Sequence, residues 1–213
     1  METGILESII TLFLMICVII VFAYLFTRSR YFVEVFEHHV TFQTKILLVL
    51  VFGLLSVFGS ISGVTLYGAV LNVHDLGPIM AGMTCGPYIG LGAGLIGGAF
   101  RLSQGGSYMY AAALATVLAG VLSGMIYIAN KKEFISTTLA VISTIVIEIL
   151  LSIMQIAMVT PASQVLKIAM YVALPMIAIN AVAVFIFSKI IHNLLDERRI
   201  RMEMEKPESG MAR

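Results

Sequence analysis

From Ile46 to Asn130 only two side chains carry a fixed charge, Asp75 and Arg101. Arg101 is the natural anion-binding group of the pair, because its planar guanidinium donates two parallel hydrogen bonds to a carboxylate. Asn72, His74, Ser103, Gln104, Tyr108 and Tyr110 lie close to these two along the chain and supply neutral donors and acceptors. His74 titrates near neutrality when unperturbed, so it is a ligand donor, a pH-dependent element or a solvated loop histidine. Three readings of Arg101 stay open: contact with a small anionic ligand, an internal pair with Asp75, or an interfacial guanidinium reaching for lipid headgroups.

A second group is spaced for a helix. Thr144, Glu148, Ser152 and Gln155 fall at i, i+4, i+8 and i+11, one polar stripe on one face. Glu148 in apolar surroundings is expected to be protonated or paired with Asn180, either as interhelical glue or as a ligand contact. Gln155 is the better ligand candidate of the two. His38 and His39 have no cysteine or third ligand nearby, so no metal site is expected there. Cys17 and Cys85 sit in apolar runs, which excludes a disulfide framework or a four-cysteine metal site.

The elements that position these residues must be membrane helices. Hydrophobic residues make up 60% of the chain and charged ones 12%, with a mean hydropathy of +1.02. No soluble surface can be built from such a sequence, so this is a polytopic protein whose first partner is the lipid bilayer. The net charge of +1 gives no reason to expect nucleic acid. Ile5 to Phe26 reads as a retained anchor helix, since no Lys or Arg precedes it and no small-residue cleavage site follows. Arg28 to Thr44 reads as an interfacial loop, Ile46 to Ser62 as a second span, and Gly63 to Asp75 as a non-helical connection. Ser107 to Ala129, Phe134 to Val159 and Val165 to His192 are three further spans, the last bent near Pro175 and Asn180. Residues 1–195 form the transmembrane domain in this reading. Residues 196–213 form a cytoplasmic charged tail, a linker to an output domain outside this chain.

Leu76 to Gly106 holds ten glycines, with Gly82, Gly86, Gly90, Gly94 and Gly98 at every fourth position. Such spacing lets helices approach closely in lipid. Pro87 removes an amide donor and disfavours helix at Gly86. The segment is therefore one kinked span or two short helices meeting at Gly86-Pro87. Charge distribution decides between them. Two short helices, out and back, leave only Arg101 and Lys167 outside, with eleven of the thirteen Lys and Arg residues inside. A single span would put five outside. The two-helix arrangement is expected, with the amino terminus outside and the carboxyl terminus cytoplasmic.

Enzyme signatures are absent from the sequence. It has no nucleotide loop, nucleophile elbow, His-Glu metalloprotease helix or paired carboxylates, and nothing calls for a cofactor.

Asn72 to Gly106 (NVHDLGPIMAGMTCGPYIGLGAGLIGGAFRLSQGG) resembles the signature of the LytS/YhcK-type five-transmembrane receptor domain. That signature has an Asn-x-Arg-Asp/Ala start, a Gly-Gly-Pro centre and an Arg ahead of a Gly-Gly pair. Tyr31-Phe32, the Glu148 helix (IEILLSIMQ) and Ala173 to Asn180 agree with its flanks, and the likeness extends to about Asp196. The resemblance implies an input module of a sensor histidine kinase in a two-component system, or of a diguanylate cyclase. It also implies a small carboxylate ligand such as pyruvate. The family's ligand-side arginine matches Arg101, whereas its earlier arginine falls on His74. Ala111, Ala112 and Ala113 stand where some relatives carry polar groups. The Gly-rich pair is also similar to the substrate-binding subunits of energy-coupling vitamin transporters.

The expectation is thus an all-α integral membrane domain of five full helices plus a Gly-rich pair of short ones, in the plasma membrane of a bacterium. Arg101, His74, Asn72, Asp75, Gln104 and Gln155 would form the ligand site. Gly86, Pro87, Glu148, Pro175 and Asn180 would couple it to the rest. A homodimer, a cytoplasmic output domain and a response regulator are the expected partners. Small-molecule transport is the rival class, and an unliganded scaffold a third.

Overall fold

Backbone amides inside lipid must be satisfied within the chain, which favours long unbroken helices. The computed structural model describes residues 2–37, 39–66, 69–159 and 165–204, and it is helical almost throughout. In chain order the elements are α1 (Glu2–Arg28), α2 (Arg30–Phe36), α3 (Phe42–Ile61), strands β1 (Val64–Leu66) and β2 (Ala69–Leu71), α4 (Leu76–Cys85), α5 (Pro87–Gln104), α6 (Met109–Ala129), α7 (Thr137–Val159), α8 (Val165–Ile168) and, after a π-helical turn at Ala169–Ala173, α9 (Leu174–Met204). Four stretches are long and apolar enough to cross a membrane: α3, α6, α7 and Ala169–Arg201. The bent pair Phe13–Arg28 and Arg30–Phe36 makes a fifth. The protein is an all-α membrane protein. Its outward side chains, Phe13, Leu54, Leu95 and Ile153 among them, are apolar as a lipid-facing surface requires.

The Gly-rich segment folds back on itself. Gly86 has φ +92°, a conformation that suits glycine, and Pro87 takes the first turn of α5, where a missing amide costs nothing. Along α5, Pro87 meets Gly124, Gly90 meets Gly120, Gly94 meets Thr116 and Gly98 meets Ala113, so α5 and α6 are antiparallel. Gly92 meets Val49 and Gly97 meets Ser56, so α5 runs parallel to α3. Gly59 meets Val73 while Gly77 meets Phe52, so α4 opposes α3. A methyl group on Gly90 would sit 2.9 Å from the Gly82 Cα. In one continuous helix those residues would stand roughly 12 Å apart. The four-residue glycine period therefore does not mark one face of one helix. It is shared across the break, with Gly82 from α4 and Gly90, Gly94 and Gly98 from α5 all turned to α6.

One expectation needs correction, and two gain detail. Arg28 to Thr44 is not simply a loop: it contains α2, bent 72° from α1. Ser29 caps α2 by accepting the Phe32 amide at 3.3 Å, and burial of Phe32 and Val35 docks it. The Gly63–Asp75 connection contains an antiparallel hairpin pairing Val64 with Leu71 and Leu66 with Ala69. The last span, expected to bend near Pro175, departs from α-helix just before it, at Ala169–Ala173. Pro175 cannot return an amide hydrogen to the preceding turn, and the helix widens there into the π turn. Beyond His192, α9 continues unbroken through Leu195 to Met204.

Candidate functional site

The ends of α3, α5 and α7 and the starts of α4 and α6 gather at one end of the bundle, here termed the hairpin end. Arg101 occupies the last turn of α5, which closes at Gly105 and Gly106 in positive-φ conformations. Its side chain is only 5% exposed. Nη1 donates to the Gln104 Oε1 one turn later, while Nε has no hydrogen-bond partner. A buried guanidinium with an unused donor is costly unless something else occupies that direction.

The Arg101 side chain also lines a half-open pocket. His74, Arg101, Tyr108, Ser152 and Gln155 supply its polar lining. Ala112 of α6, Ile156 of α7, and Ile168, Val172, Ala173 and Met176 around the π turn supply the apolar part. Ile168, Val172 and Met176 form a small apolar cluster of their own, with Tyr108 and Ile156 packed against it. The site thus sits where the folded-back helix α5 faces α6, α7 and the irregular start of the last helix.

Behind the pocket lies a buried polar relay. Asp75 is 0% exposed, and its oxygens have no hydrogen bond in the present geometry. His74 Nε2 lies 3.2 Å from Asp75 Oδ1, close enough for an ion pair though not aligned as a hydrogen bond. His74 Nδ1 contacts Asn72 Oδ1, which leaves the Asn72 Nδ2 unpaired. Burial pushes the His74 imidazole below its ordinary value; Asp75 opposes this, and the positive charge of Arg101 adds to it. Ser56 of α3 fixes the loop by donating to the His74 carbonyl at 2.6 Å.

On the tail side of the pocket Glu148 and Asn180 tie α7 to α9. Glu148 is 1% exposed, and Asn180 Nδ2 donates to its Oε1 at 2.6 Å. Of the site residues read from the sequence, Arg101, His74 and Gln155 line one pocket, and Gln104 touches Arg101. Asn72 and Asp75 stand behind His74 and do not line it. Asp75 and Arg101 are not within ion-pairing distance, so the internal pair proposed for them is not formed. Sequence reasoning grouped Tyr108 with Arg101 and His74 without assigning it to the ligand site, and it did not place Ser152 or the wall formed by Ile156, Ile168, Val172 and Met176 there. Ser152 lay on the Glu148–Gln155 stripe, and the 168/172/176 spacing was a readable signal. Among the described residues no three His, Cys, Asp or Glu side chains are placed to hold a metal; His38 lies outside them.

Comparison with known proteins places this geometry. The family described as "5TMR of 5TMR-LYT" matches residues 29–194. The chain is 27% identical over 188 residues to the sensor histidine kinase BtsS of Escherichia coli K12, covering 85% of this chain and 33% of that protein. It is 25% identical over 196 residues to the sensor protein LytS of Bacillus subtilis, covering 84% of this chain and 33% of LytS. The sensor histidine kinase/phosphatase LytS of Staphylococcus aureus is 24% identical over 197 residues, with 84% and 34% covered. The chain spans about a third of the length of these relatives. No solved structure matches it.

Proposed function

Because the chain belongs to the five-transmembrane receptor family of LytS type, we propose that it is the membrane-embedded input domain of a sensor histidine kinase that detects a small extracellular carboxylate. Pyruvate is the simplest such ligand. The observation that supports this reading is the buried Arg101, which lines a pocket with Gln155, Ser152 and Tyr108 and has an Nε without a hydrogen-bond partner. In this reading the carboxylate takes the Arg101 fork, and His74, kept neutral by burial and placed beside Asn72 and Asp75, shapes the wall beside it.

The hairpin end faces outside, and α9 carries the response inward. A ligand held between α5, α7 and the π turn would bias how α7 and the last helix pack. The effect is limited to its differential affinity for the two packings, typically about 1–3 kcal/mol of coupling. Residues 1–195 act as the receptor, and the tail from residue 196 links to a cytoplasmic kinase, a response regulator and a second copy of the chain. Titration calorimetry of the purified chain with pyruvate tests the reading. Arg101→Ala should weaken binding at least tenfold while the thermal midpoint of the unliganded protein holds. Equal affinity of the variant would remove Arg101 from the site.

A further inference from the structure

The pocket has only one fixed charge, and that limits what else a ligand can carry. Taking the pocket as the ligand site, as proposed above, the geometry points to a monocarboxylate with an apolar chain larger than methyl and no second charge. Among the described residues Arg101 is its only permanently ionised lining residue. Asp75, buried behind His74, and Glu148, buried against Asn180, do not line the cavity and could not receive an ammonium group. Ile156, Ile168, Val172 and Met176 give the lining an apolar part, and Ile168 and Val172 are themselves buried. A second carboxylate would have to lose its hydration against that part with no cation to meet it. An α-ammonium group would meet no anion. Gln155 and Ser152, both on α7, stand in the same lining as neutral partners for an α-keto or α-hydroxy oxygen.

Aliphatic burial decides the preference among keto acids, since each extra methylene in a fitted apolar pocket is worth about tenfold or more. The full chain in detergent or nanodiscs is titrated with pyruvate, α-ketoisovalerate, succinate and valine. The expected result is that α-ketoisovalerate binds at least tenfold more tightly than pyruvate, while succinate and valine bind at least tenfold more weakly than pyruvate. Ile156→Ala should shrink the ratio between the two keto acids severalfold. Arg101-dependent binding in which pyruvate equals or exceeds α-ketoisovalerate, or in which succinate or valine is preferred, overturns the inference and leaves the receptor reading standing. Failure of all four to bind overturns both.

Discussion

His74 shows how one residue type alters a site. The family's signature has arginine at this position, and a second guanidinium would clamp a carboxylate from two sides. Here an imidazole buried between Asn72 and Asp75 adds no charge at neutral pH. Its folded state disfavours protonation, so the sign of the linkage follows. The unfolded chain binds a proton near pH 6.5, and the folded one binds it only at lower pH. Stability is full above that range and falls as pH drops below it. Thermal midpoints of the unliganded protein at pH 7.5 and 5.5 should show the loss, and His74→Asn should lessen it. An identical loss in the variant would assign it to other groups. Arg101 and Gln155 were legible in the sequence because ionisable and amide groups are rare in such a chain. The apolar wall was not, because Ile168, Val172 and Met176 look like any other packing residues until the π turn aims them inward.

At the scale of elements, the folded-back pair α4–α5 is held by the absence of side chains. A methyl on Gly120 would lie 2.1 Å from the Gly90 carbonyl oxygen, with no flexible side chain to yield. Gly120→Ala should therefore destabilise the domain by about 1–3 kcal/mol or more, read as a lower unfolding midpoint. Gly106 has open space around it, so Gly106→Ala meets only the strain of its φ of +91°. That strain is about 1 kcal/mol. Equal costs would mean that close packing at Gly90 and Gly120 is not what holds the pair together. Gly86-Pro87 and the charge asymmetry predicted the break, since a missing amide and two competing topologies leave marks on a sequence. The docked helix α2 was hidden, because its apolar face is only one turn long and is defined by where Phe32 finds a pocket. The link between α7 and α9 follows similar logic. Glu148→Ala strands the Asn180 amide and should cost about 1–2 kcal/mol, whereas Glu148→Gln keeps an acceptor and should cost less.

For the whole molecule, the arrangement of cations sets the orientation on which extracellular ligand entry depends. Arg28, Arg198 and Arg201 line one pocket, and Lys132 and Arg199 line another. The end of α1, the α6–α7 connection and the carboxyl-terminal half of α9 thus meet at the tail end. Arg101 sits with His74 at the opposite end. Positive residues near short loops are retained in the cytosol, so the tail end should face inward and α1 should begin outside. A Cys17→Ala, Cys85→Ala background allows a direct check with a membrane-impermeant maleimide on intact cells. Thr3→Cys should be labelled from outside, and Lys131→Cys, at an exposed position on the tail end, only after permeabilisation. The reverse pattern would turn the Arg101 pocket toward the cytosol, and the protein would then read an internal metabolite rather than an external one. Protection of both sites in intact cells would instead mean six crossings, and α4–α5 would have to open into a single span. The close approach of Gly90 to Gly82 argues against that, because it forms only when the two short helices fold back together.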